Sequence, residues 1–213
     1  PFSEKSSLFS EEGDKRDMSR RAMDMLTKAV NSYQGCAAKL LVHMCAIPSR
    51  RPMVYSFFID NNIFLHECVR LIPLHYLNVA AYFDEALYFP LMKSLLSGMG
   101  PEALYVQVNT IQWCFYYKNE IVCDYVDRIE SDPLTHELLV QIYFYGIKGT
   151  PASKECEKRL EKILSLDNEE IIAKLIEAAM MAYEHAEYRD LSKKILEHYA
   201  SDNREKIVNA YCM

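Results

Sequence analysis

From Met18 onward, apolar residues recur at intervals of three and four, and that spacing commits the chain to helices. Ala22, Met25, Leu26, Ala29, Val30 and Tyr33 mark the first such face. Only six Gly and eight Pro punctuate 213 residues, so the breaks are few. Gly35 predicts one. Residues 36–47 resume a helix that Pro48 ends, and Ser49-Arg50-Arg51-Pro52 reads as a loop. A short helix over 53–59 follows, then Asp60-Asn61-Asn62 as a turn that caps a helix over about 62–72, limited by Pro73. In that helix Ile63, Leu65, His66, Val69 and Ile72 lie near one face.

A helix over about 83–97 carries Pro90 in its interior, where a missing N–H predicts a kink. Gly98-Met99-Gly100-Pro101 is a stop and restart, with Pro101 suited to a first helical turn. The helix over 101–117 ends in Trp113-Cys114-Phe115-Tyr116-Tyr117. So continuous an apolar run predicts a helix central in the core; helical periodicity on either side argues against a strand. Gly146 and Gly149 read as a helix C-terminus and a turn.

In the C-terminal half, Asp132, Asp167 and Asp202 stand 35 residues apart, each at a predicted helix N-cap. Glu170 and Glu205 follow the second and third aspartates by three, the spacing of a capping box. The preceding helices align at the same offset. Tyr125, Leu160 and Ile195 correspond, as do Ile129, Leu164 and Tyr199, and Ile172 pairs with Ile207. A 35-residue unit of two helices resembles the tetratricopeptide and related helical repeats over residues 101–213. Most Trp, Leu-Gly-Tyr and Ala/Pro hallmarks of that family are missing here. Residues 18–100 look more like irregular armadillo or HEAT packing. The expected fold is all-α: one domain over 18–213, of ten to eleven helices in stacked antiparallel pairs, an irregular α-α solenoid. The competing expectation is a helical bundle without a repeat, in which the three aspartates coincide.

Composition narrows the class of function. An apolar fraction of 50% excludes a fully disordered chain. Residues 1–17, rich in Ser, Glu, Lys and Asp, read as a disordered lead without the apolar stretch of a signal peptide. The chain opens on Pro1, which leaves the natural N-terminus open. No apolar run reaches the roughly 18 residues of a membrane span. The net charge of -6 argues against a general nucleic-acid coat. The charge sits in the second half: residues 107–213 hold 13 basic and 19 acidic groups, whereas residues 1–106 hold 11 of each. Alternating Glu and Lys over Lys154 to Lys162 predict a solvated helix face. Seven cysteines, with no C-x-x-C pair, read mainly as buried reduced thiols. They favour a cytoplasmic or nuclear setting.

Chemistry-bearing motifs are absent from the sequence: no G-x-G-x-x-G, P-loop, G-x-S-x-G, H-E-x-x-H or EF-hand loop occurs. His66-Glu67-Cys68 has the residue types of a metal or nucleophile site, but neighbours on a helix point apart. Asp84-Glu85 suits a helix start better than acid–base work. Cys36, Cys68 and Cys156 would each need an activating base supplied by the fold. The sequence therefore predicts no catalytic, cofactor or metal residue.

What remains is recognition. Trp113, Tyr116, Tyr117, Tyr143 and Tyr145 either fill the core or line a concave surface for a protein partner. Arg50-Arg51 and Arg20-Arg21 are the arginine doublets. They form either a solvated loop or a small patch for an acidic peptide or phosphate. Ile207, Val208 and Tyr211 lie in an apolar C-terminal stretch without a charged cap: either a further helix follows, or this end docks on a second copy. The expected function is a protein-interaction module, adaptor or scaffold. A helical regulator or enzyme with a non-local site, and a nucleic-acid-binding helical repeat, are the alternatives.

Overall fold

The computed structural model describes residues 18–78 and 82–212. The lead over 1–17 lies outside the described residues. Among them there are thirteen α-helices, three short 3-10 turns and no strand, against the ten to eleven helices expected. The excess comes from breaks the periodicity hides. The helix expected over 101–117 is two, α6 (Glu102–Val106) and α7 (Val108–Tyr117), parted at Gln107 (φ -128°, ψ 32°). The helix expected over 62–72 is a 3-10 turn, Asn62–Phe64, and then α4 (Glu67–Tyr76). Ile63 is accordingly exposed, while Val69 and Ile72 are buried.

Packing divides the chain into two compact units. The first holds residues up to Ile111 together with Glu120–Asp127; the second holds Gln112–Asn119 and everything from Arg128. The division falls within α7 and α8 (Asn119–Ile129).

In the first unit, α1 (Met18–Val30) and α2 (Tyr33–Met44) are joined by Asn31 and Ser32. The chain breaks there, and not at Gly35. Ser32 is the N-cap, its Oγ accepting from Gly35 N–H at 3.0 Å. Gly35 lies inside α2, where an added Cβ would sit 1.8 Å from the Ala29 carbonyl oxygen. That glycine lets two helices meet at a tight corner. The segment read as a loop is also helical: Pro48–Arg50 forms a 3-10 turn and Arg51–Asp60 forms α3, with Pro52 in its first turn.

Helix α4 is the hub of this unit and packs on α1, α2, α5 (Glu85–Leu96) and α6. It buries Val69, Leu71, Ile72, Pro73 and Leu74 and leaves Glu67, Arg70 and His75 partly exposed. Pro73 does not limit the helix but sits buried within it, and Leu77 N–H closes the end on the Pro73 carbonyl at 3.1 Å. Helix α1 meets α4 through Ala22, Leu26 and Ala29, whose small members permit close approach. Tyr88 of α5 is fully buried and donates to the Leu74 carbonyl at 3.1 Å.

The second unit is built around α11 (Glu169–Ala182), which packs on α9 (His136–Gly146), α12 (Arg189–Tyr199) and α13 (Glu205–Ala210). Helix α10 (Ser153–Leu164) packs chiefly on α9. Eight residues of α11 are buried, four of them Ala, so neighbours approach it on several sides. Helix α10 buries Cys156, Leu160 and Ile163 on one stripe and leaves its Glu and Lys outward, as its charge pattern predicts. Gly146 closes α9 and Gly149 takes φ +71°, the helix end and turn expected of them.

The three aspartates do not play one part. Asp132 caps a 3-10 turn by accepting from Leu134 N–H at 3.0 Å. Asp167 takes φ 49°, and Asn168 caps α11 in its place, with Oδ1 2.8 Å from Glu170 N. Asp202 accepts from Arg204 N–H at 3.0 Å ahead of α13. The apolar correspondences fare better. Tyr125 and Leu160 are buried and Ile195 is half-buried. Ile172 and Ile207 share one buried cluster, against which Leu164 and Tyr199 pack.

Candidate functional site

The aromatic residues singled out in the sequence meet in the second unit. Helix α7 turns Cys114, Phe115 and Tyr116 inward and leaves Trp113 and Tyr117 44% and 50% exposed. The helix is thus central on one side only. The Phe115 ring packs on Tyr143 with centroids 5.5 Å apart, and the Tyr116 hydroxyl donates to the Ile142 carbonyl at 2.5 Å. Gly146 makes room: a Cβ there would come within 2.6 Å of the Tyr116 ring and 2.3 Å of Cys156 Sγ. Tyr143 is fully buried, and Tyr145 is half-buried beside Tyr188. Burial pushes the Tyr116 and Tyr143 hydroxyls far above the usual tyrosine range. Tyr116 and Tyr143 are therefore core, and Trp113 and Tyr117, with rings 5.6 Å apart, form the exposed pair.

Beside this aromatic core lies a charge network, buried at Glu130 and Arg159 and open at Lys162, that the sequence did not announce. Glu130, its side chain 6% exposed, accepts at Oε2 from Arg159 and Lys162, each at 3.1 Å. Arg159 also holds Glu155 at 2.7 Å and lies over the Phe115 ring at 5.6 Å. The charges alternate, Glu155, Arg159, Glu130, Lys162, so the set is neutral. Its partners are fixed to one another, and it works as a staple between the turn that follows α8 and helix α10.

Arg50 and Arg51 belong to the first unit and do not act as a doublet. Arg50 is exposed at the end of a 3-10 turn, while Arg51 Nε donates to the Cys45 carbonyl at 3.0 Å. Arg21 lies 4.0 Å from Glu102. His66-Glu67-Cys68 is used in building the fold. His66 caps α4 by accepting from Cys68 N–H at 3.3 Å, and Glu67 accepts from Gly100 N–H at 2.5 Å. Asp84 stands at the N-cap of α5 and Glu85 in its first turn, a helix start as read. Two of the three candidate thiols, Cys68 and Cys156, are held in the protonated form. Burial, and then Glu67, push Cys68 up, and burial pushes Cys156 up to about 12. Cys45, Cys114 and Cys156 are buried, Cys36 and Cys212 exposed, and none of the seven is in a disulfide.

The C-terminal stretch is partly spoken for. Ile207 is fully buried against α11, and the Tyr211 hydroxyl donates to the Leu196 carbonyl at 2.6 Å. Of the three residues proposed for self-association, Val208 alone is exposed, at 44%. The turn before α13 is pinned to the turn before α11: Arg204 bonds Asp202 at 2.7 Å and Asp167 at 3.0 Å.

Helices α9, α11 and α13 leave an open groove of about 340 Å³ between them. Its floor is Ala173 and Ala210, and Glu137, Glu170, Lys174, Glu177, Lys206 and Asn209 form its walls. Sequence reading missed it, although Lys174 and Asn209 are 35 positions apart and the repeat offset was a usable signal. Two wall pairs are closed, Lys174 on Glu177 at 2.8 Å and Lys206 on Glu170.

No group of three or more His, Cys, Asp or Glu among the described residues is placed to hold a metal ion. No described helix is long and apolar enough to cross a membrane. No family model matches the chain, and neither the curated proteins nor the solved structures contain a match to it.

Proposed function

We propose that this chain is a protein-interaction module, an adaptor or scaffold element, whose second unit is a short stack of antiparallel helix pairs. The exposed Trp113–Tyr117 pair carries the reading. One face of α7 is locked into the core through Phe115 and Tyr116, so the two outward rings are held with little freedom to lose on binding. Trp and Tyr combine apolar area with a polar tip, which is what interfaces enrich. The stack reading is supported by α9, α11 and α13 packing in series, by the shared burial of Ile172 and Ile207, and by the Arg204 link between successive turns. Seven cysteines, none of them in a disulfide, support a reducing compartment, cytoplasm or nucleus.

The test is affinity capture with the wild-type chain beside Trp113→Ala and Tyr117→Ala. Both side chains are surface positions, so both variants are expected to keep the wild-type circular dichroism spectrum. The reading expects the same partner proteins to be lost, at least tenfold, with either change. Capture that is indifferent to both changes overturns the role of this surface.

A further inference from the structure

We infer that the groove between α9, α11 and α13 is a docking site for a basic segment of a protein partner, receiving one Arg or Lys side chain. The inference rests on the reading of the chain as an interaction module but uses a different surface. Its starting point is the floor. Ala173 and Ala210 are 8% and 3% exposed, and at both positions a longer side chain would occupy the hollow. A volume of about 340 Å³ has room for one long side chain and little more. It lies at the foot of the roughly 300–1,000 Å³ range of small-molecule pockets, which argues against a large cofactor.

Charge then selects the occupant. Lys174 is held by Glu177 at 2.8 Å, with the Glu177 side chain 20% exposed. Lys206 is held by Glu170, its backbone N–H by Glu169 at 2.5 Å, and these carboxylates raise the Lys206 ammonium above its usual range. Both wall lysines are thus neutralised by wall carboxylates. Glu137, exposed on α9, is the third wall carboxylate and acts on Lys206 only through space, and the groove carries a net charge of minus one. An anionic occupant would have to break an existing ion pair to find a cation; a cationic occupant meets Glu137 without breaking one. An Arg or Lys side chain also matches the apolar floor, since its methylene stem lies on Ala173 and Ala210 while its head reaches the rim. Asn209 adds an amide that can accept from the head or from the partner's backbone.

The experiment is a titration of the full isotope-labelled chain, followed by amide chemical shifts. The probe is the peptide Gly-Ser-Gly-Arg-Gly-Ser-Gly with blocked ends, beside the same peptide carrying citrulline or Glu in place of Arg. The expected result is a saturable shift at Glu137, Ala173, Lys174 and Asn209 with the Arg peptide alone. Glu137→Gln is expected to weaken it at least threefold, and raising the salt should weaken it too. Glu137 is exposed, so this variant keeps the fold. Equal shifts from the citrulline peptide, shifts unchanged by Glu137→Gln, or no saturable shift at the groove each overturn the inference. Failure here leaves the Trp113–Tyr117 capture result untouched, so the two readings fall separately.

Discussion

His75 shows how one half-buried side chain ties the fold to pH. Burial holds its imidazole below the usual histidine range. Its Nδ1 lies 3.1 Å from Gln107 Nε2 and accepts from that amide, an arrangement open only to the neutral ring. Gln107 is itself buried and its Oε1 takes Asn78 at 3.4 Å and Thr110 at 3.3 Å, so protonation of one ring disturbs four side chains. The sign follows from proton counting. Between the lowered folded pKa and the unfolded value of about 6.5, the unfolded chain binds more protons. Stability therefore rises with pH across that window and is lost as pH falls from about 6.5 toward the folded value. Urea midpoints taken from pH 7.5 down to pH 5.5 should fall for the wild-type chain, and less steeply for His75→Gln. An equal slope in the two proteins would show that His75 does not contribute. Gly35 makes a different point at the same scale. As a residue type it reads as a helix break, but its position against the Ala29 carbonyl is set by a tertiary corner. Local preference cannot distinguish a glycine that ends a helix from one that lets a helix touch its neighbour.

Helix α13 is where the apolar C-terminal stretch resolves into two faces. Ile207 and Ala210 point into the cluster of Ile172, Ala173 and Ile176, while Val208 points out. Adjacent residues of similar chemistry thus have opposite roles, and the difference comes from helical geometry. Ile207→Ala is expected to destabilise the protein by about 2–5 kcal/mol through lost burial and a residual cavity. Val208→Ala should change stability by no more than about 0.5 kcal/mol. Urea unfolding of the two variants measures this, and hydrogen exchange should show the Ile207→Ala loss first in α11. If Val208→Ala costs as much as Ile207→Ala, the outward face of α13 is covered by something, and the expectation of self-association at this end regains its ground. Removing residues 207–213 would not be a clean test of that expectation, because it also removes the lid on α11. Part of this element was legible: the 35-residue offset aligned Ile172 with Ile207 as apolar positions, and both are buried. The aspartates at the same offset were misleading, since any turn before a helix rewards Asp or Asn, and Asn168 took the cap that Asp167 promised.

The two units share α7 and α8 along the sequence, and this determines how the chain can be divided. Residues 18–100 do not hold all of the first unit: α6 packs on α1 and α4, and the Tyr125 hydroxyl of α8 donates to the Gly100 carbonyl at 2.9 Å. The helix stop at Gly98 and Gly100 is local, and local stops say nothing about which segments return later to complete a core. The second unit is incomplete in the same way if it is begun at residue 128. Phe115 and Tyr116 would be lost, and with them the ring against Tyr143, the cation–π partner of Arg159 and the group that fills the space over Gly146. Removing two buried aromatics of this kind costs about 3–5 kcal/mol each, comparable with the whole stability of a small domain at roughly 5–15 kcal/mol. A fragment of residues 128–213 is therefore expected to be helical but to melt without a cooperative transition. A fragment of residues 108–213 restores Phe115 and Tyr116 and is expected to melt cooperatively, with dispersed amide resonances for α9 to α11. Thermal circular dichroism and an amide spectrum of the two fragments decide it. Equal cooperativity in both would mean that the aromatic segment decorates the second unit without building it, and Trp113 and Tyr117 would then lose the rigid footing on which their proposed role depends.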